Sequence, residues 1–138
     1  MAASQANPDP VVLVVDDEPI VLRLMQRALM SAGYQVVAAA DGLSALALAT
    51  ELPSPPAALV TDLRMEPIDG ASLALLVKAL WPGTRLLFVS GFGPPADFGN
   101  LPGPLLPKPF GADELLHAVR GLLAPPDTSR RGSTPTSS

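Results

Sequence analysis

The sequence predicts an α/β fold, a doubly wound five-stranded parallel sheet with helices on both faces. Three observations predict it. Short apolar runs without internal polar residues recur along the chain, as expected of strands buried on both sides. They alternate with stretches of helical spacing, the order that builds parallel sheets. Four of the five runs end directly at a polar residue or one position before it, so a parallel sheet would gather those groups at one edge.

Residues 11–15 (VVLVV) are the first strand, ending at Asp16-Asp17-Glu18-Pro19. Pro19 suits a first helical position, where its missing N–H is not needed. Ile20, Val21, Leu24, Met25, Ala28 and Leu29 follow at helical spacing, and Gly33 stops the helix. Residues 34–39 read as the second strand. Asp41 is a good N-cap for a helix over 42–50, with Leu43, Leu46 and Ala47 as its apolar face. Residues 57–61 form a third apolar run that ends at Asp62, and Asp69-Gly70 turns the chain into a helix over 71–80. Residues 85–89 (RLLFV) are the fourth strand, ending at Ser90. Residues 91–104 carry four Gly and four Pro in fourteen positions, so any fourth helix there is expected to be short or irregular. Leu105-Leu106 is a very short fifth strand before Lys108, and residues 113–123 form the last helix.

Residues 1–10 and 124–138 are small, polar and proline-bearing, and read as solvated tails around one domain at 11–123. The roughly 115 residues between them suffice for one core. Output through another chain is therefore expected. The net charge of −4 disfavours direct contact with nucleic acid. No apolar stretch approaches the roughly 20 residues of a membrane helix. The chain has no cysteine, which excludes disulfides and thiolate metal sites. A cytoplasmic location is expected.

Asp16, Asp17 and Asp62 would converge if the first and third strands are neighbours. Three close carboxylates repel one another, and a hard divalent cation with oxygen ligands, Mg²⁺, would relieve that repulsion. A carboxylate beside such a cation can attack phosphorus, with Lys108 and Ser90 contacting the phosphoryl oxygens. A helix-capping role for Asp16-Asp17, a turn role for Asp62 and a surface role for Lys108 are the plainer alternatives. His117, in mid-helix, and Trp81, at a helix end, are read as structural.

Residues 11–17 with Glu18-Pro19, then Asp62-Leu63-Arg64-Met65 through Asp69-Gly70, Ser90-Gly91 and Lys108-Pro109-Phe110, together resemble the motif series of response-regulator receiver domains over residues 10–123. The resemblance implies a flavodoxin-like sheet of order 2-1-3-4-5. It implies Asp62 as phosphoacceptor, Asp16 and Asp17 as the acidic pair, and Arg64 as a metal ligand through its backbone carbonyl. Ser90 would be the switch hydroxyl and Lys108 the phosphate-pairing lysine, with a cis Lys108–Pro109 bond. The cofactor would be Mg²⁺. The partners would be a histidine kinase or histidine phosphotransfer protein and a downstream protein target, with homodimer formation left open. Such a protein is a signalling protein rather than an enzyme, catalysing only its own phosphoryl transfer and slow autodephosphorylation. A pseudo-receiver, binding partners without phosphorylation, is the alternative. A phosphatase of the haloacid-dehalogenase type is disfavoured, because Arg64 stands where its second Asp would be.

Two features depart from the family pattern. Leu105 occupies the place of the usual aromatic, and Glu66 intervenes between Met65 and Pro67. Phe88-Val89-Ser90-Gly91-Phe92-Gly93 is similar to the motif of an atypical subgroup that lacks the aromatic. Signalling by ordering of 91–104 is expected in place of ring rotation.

Overall fold

Strand side chains alternate between two cores, and that alternation builds the layers. In a computed structural model, which describes residues 10–91 and 100–124, Leu13, Leu59, Leu86 and Phe88 point to one face of the sheet and Val12, Val60, Leu87 and Val89 to the other. The strands are β1 (Val11–Val15), β2 (Gln35–Ala39), β3 (Ala58–Asp62), β4 (Arg85–Ser90) and β5 (Leu105–Pro107). All pair in parallel, in the order β2-β1-β3-β4-β5. The predicted sheet and its order are both found.

The helices are α1 (Pro19–Ser31), α2 (Gly42–Thr50), α3 (Gly70–Leu80) and α4 (Ala112–Leu123). Met25, Ala28 and Leu29 of α1 join Leu115 and Val119 of α4 over one face. Ala45 and Ala49 of α2 join Leu73, Ala74 and Val77 of α3 over the other. Full burial of each large side chain contributes about 1.5–3 kcal/mol, so the two cores dominate the stability of the fold.

Local signals start and stop these helices. Asp41 and Asp69 cap α2 and α3 by accepting hydrogen bonds from the backbone N–H of Ser44 and Ser72, at 2.8 and 2.7 Å. The Glu114 carboxylate accepts from the Gly111 N–H at 2.8 Å at the start of α4. Gly33, at φ +101°, ends α1 in the left-handed region that glycine adopts without strain.

Two helix faces differ from expectation. Ile20 and Leu24 stand on the outer side of α1, with Ile20 79% exposed. In α2 the buried positions are Gly42, Ala45 and Ala49, while Leu43 and Ala47 are exposed. Small side chains let α2 approach the sheet closely, which turns Leu43 and Leu48 outward while Leu46 packs against the core. The predicted irregularity between β4 and β5 falls mostly on residues 92–99, outside the described residues. Residues 100–104 carry no helix.

Candidate functional site

Sheet register assembles the site. Val15 of β1 lies beside Thr61 of β3, so the next residues, Asp16 and Asp62, leave adjacent strands together. Asp62 pairs with Val89, which puts Ser90 one step further along β4. Ser90 pairs with Pro107, and Lys108 follows. The Lys108 backbone N–H donates to the Ser90 carbonyl at 2.8 Å, which fixes the lysine's origin. Residues from four separate stretches of the sequence therefore meet at the carboxyl edge of the sheet.

Gly70 locks Asp62 from the other side. Its N–H donates to the Leu63 carbonyl at 2.8 Å. A Cβ at Gly70 would overlap the backbone carbonyl of Asp62. The start of α3 can rest on the Asp62 backbone because residue 70 has no side chain.

Carboxylate oxygens of Asp16, Asp17 and Asp62 lie within 4.8 Å of one another. Asp16 is fully buried, Asp62 nearly so and Asp17 exposed. One Asp16 oxygen, Oδ1, accepts the Glu18 N–H at 2.9 Å. The other, Oδ2, is buried and accepts no hydrogen bond; Lys108 Nζ lies 3.0 Å away, close enough for charge attraction but outside hydrogen-bond alignment. Lys108 Nζ is also 3.4 Å from Asp62 Oδ2 and 2.7 Å from Glu18 Oε1.

Burial, reinforced by the Asp16 carboxylate, pushes Asp62 up to about 6 despite the pull of Lys108. Burial also raises Asp16, against its hydrogen bond from Glu18 and the charge of Lys108. Burial works against the Lys108 ammonium, but its hydrogen bond to Glu18 and the negative charge of Asp16 and Asp62 hold its proton more tightly than usual.

This donor set fits a hard divalent cation. It is made of oxygen alone, carries excess negative charge, and includes a buried carboxylate oxygen without a hydrogen-bond donor. Arg64, Ser90, Lys108 and Phe110 line a cleft of about 620 Å³ that opens over Asp62.

Asp16, Asp17, Asp62, Ser90 and Lys108 come together at one edge, and Arg64 lines the same cleft. The Lys108–Pro109 peptide is cis, and so is Glu66–Pro67. Reasoning from sequence assigned no part to Glu18, which makes the shortest contact to Lys108. The run of three acids, Asp16-Asp17-Glu18, was the available signal.

The family model for the response regulator receiver domain matches residues 12–120. The sensor kinase CckA of Brucella abortus is 35% identical over 129 residues, covering 91% of this chain and 14% of that protein. The transcriptional regulatory protein PrrA of Mycobacterium tuberculosis is 38% identical over 133 residues, covering 94% of this chain and 54% of that protein. The chain thus spans about half or less of these curated relatives. Among solved structures, the receiver domain of the hybrid histidine kinase CckA superposes with a TM-score of 0.71 at 31% identity, over 82% of this chain and 98% of that one. The Vibrio cholerae chemotaxis protein CheY4 superposes with a TM-score of 0.75 at 27% identity, over 84% of this chain and 100% of that one. By sequence, sheet order and the acidic edge at which its strands end, the chain belongs to the response regulator receiver domains of two-component signalling.

Proposed function

We propose that Asp62 accepts a phosphoryl group from a phosphohistidine on a histidine kinase or a histidine phosphotransfer protein. The observation that carries this reading is the convergence of Asp16, Asp17 and Asp62 oxygens within 4.8 Å, with the Lys108 ammonium 3.4 Å from Asp62. A carboxylate oxygen of Asp62 bonds to phosphorus as the P–N bond breaks. The electron pair of that bond stays with the imidazole nitrogen, which takes a proton from solvent. Lys108 and Ser90 contact the phosphoryl oxygens and offset their charge. Asp16, Asp17, Asp62 and the Arg64 backbone carbonyl would hold Mg²⁺. The bound ion would neutralise charge on the phosphoryl oxygens.

The functional unit in this reading is residues 11–123, with tails at 1–10 and 124–138. The phosphorylated domain signals through altered contacts with a downstream protein in the cytoplasm. No helix among the described residues is long and apolar enough to cross a membrane.

The test is the intact mass of the protein after exposure to a small phosphodonor, or to a phosphorylated histidine phosphotransfer protein, with and without Mg²⁺. One phosphoryl adduct is expected, dependent on Mg²⁺ and absent from Asp62→Asn. An adduct that persists in Asp62→Asn, or no adduct from either donor, would overturn the assignment.

A further inference from the structure

Lys108 has more anionic partners than its proposed task requires. Its shortest contact is the 2.7 Å hydrogen bond to Glu18 Oε1. The buried Asp16 Oδ2, at 3.0 Å, is not aligned as a hydrogen bond, and Asp62 Oδ2 is further away at 3.4 Å. The Glu18 backbone is fixed as the N-cap of α1, ahead of Pro19, with its N–H on Asp16 and its carbonyl accepting from Leu22. Its side chain is 60% exposed and reaches Lys108 at the wall of the cleft above Asp62.

We propose that Glu18 is a positioning residue that latches Lys108 in the unphosphorylated domain and must give up its hydrogen bond when phosphoryl oxygens arrive. This inference rests on Asp62 being the phosphoacceptor. A phosphoryl group brings close to two negative charges and needs the ammonium. Asp16, Asp17, Glu18 and Asp62, if all ionised, already bring four negative charges to this edge of the sheet. Glu18 therefore opposes phosphorylation twice, by competing for Lys108 and by repelling the incoming anion. The latch tunes how readily the site is filled, while leaving Asp62 and the proposed metal ligands in place.

The test measures binding of beryllium trifluoride, a tetrahedral stand-in for an acyl phosphate, at saturating Mg²⁺. It compares the full chain with Glu18→Gln, Glu18→Asp and Asp62→Asn. Gln keeps the length and removes the charge; Asp keeps the charge and shortens the reach. Glu18→Gln is expected to bind about two- to fivefold more tightly, the range set by a solvent-exposed ion pair. The gain should shrink as salt is raised, which a purely structural role would not produce. Glu18→Asp should move in the same direction as Glu18→Gln. Unchanged affinity in Glu18→Gln would overturn the latch while leaving Asp62 as acceptor. So would a Glu18→Asp variant identical to the parent beside a tighter Glu18→Gln, because charge alone would then explain the gain. Binding that persists in Asp62→Asn, or no binding by the parent chain, would remove the acceptor assignment and the latch with it.

Discussion

The carboxyl edge of the sheet has two unequal halves. Where β1 and β3 end, Asp16 and Asp62 emerge from strands buried on both faces, and α3 rests on the Asp62 backbone through Gly70. Where β4 and β5 end, the outer strand is three residues long, and Leu105 and Leu106 are only half-buried. The first half has little room to move, while the second holds Lys108 by one backbone hydrogen bond and a set of charges. The contrast separates two tasks. Phosphoryl chemistry depends on fixed positions, and the acidic half provides them. A response to phosphorylation requires a part that can rearrange, and the β4–β5 half has fewer contacts to break.

Core deletions are the largest way to break this contrast. Leu59 of β3 is fully buried, and Leu59→Ala should cost about 2–5 kcal/mol in urea unfolding. Gly70→Ala should cost about 2–3 kcal/mol, because a methyl group there displaces the Asp62 backbone. It should also reduce phosphorylation of the protein that remains folded. If Gly70→Ala is neutral on both counts, the acidic half is not rigid. Leu105→Ala should cost only about 1–2 kcal/mol, in keeping with half-burial. A loss equal to that of Leu59→Ala would show the two halves to be equally packed.

The charge of the acidic half should appear in the pH dependence of stability. Asp62 is raised from 3.8 to about 6 in the folded state, so the fold favours its protonated form. With a chelator present, the stabilisation this group contributes is complete below pH 3.8 and is lost as pH rises through about 6. The expected loss is on the order of 2 kcal/mol, and Asp16 shifts in the same direction. Mg²⁺ should restore stability above pH 6, where the carboxylates are ionised. Thermal melts across this range, with chelator or Mg²⁺, check the sign. A parent that loses no more stability between pH 4 and 6 than Asp62→Asn would contradict the assignment. Leu105→Phe should change stability least, by less than about 1 kcal/mol.

The acidic half was the more legible in the sequence, because strand runs ending in Asp are local signals and parallel alternation then places them together. The cap at Asp41 and the helix entry at Asp69 were legible in the same way, whereas the order β2-β1-β3-β4-β5 followed from the resemblance of the motif series. What escaped was relational. Helical periodicity marked Leu43, Leu46 and Ala47 as the inner face of α2; Leu46 packs against the core, but the buried positions are Gly42, Ala45 and Ala49. The same limit applied to Ile20 and Leu24, which satisfy the spacing of α1 yet lie beyond the reach of its core. Glu18 and Lys108 are 90 positions apart, and no local pattern joins them. Only the order of β1, β3, β4 and β5 brings them within 2.7 Å.

The central claim is that Asp62, among three neighbouring carboxylates, carries the phosphoryl group. Reductive cleavage with borohydride after phosphorylation, followed by peptide mapping, tests it most directly, because an acyl phosphate is converted to an alcohol at the residue that held it. Reduction is expected at Asp62 alone, and only in samples phosphorylated with Mg²⁺ present. Reduction at Asp16 or Asp17, or a label on His117, would contradict the account.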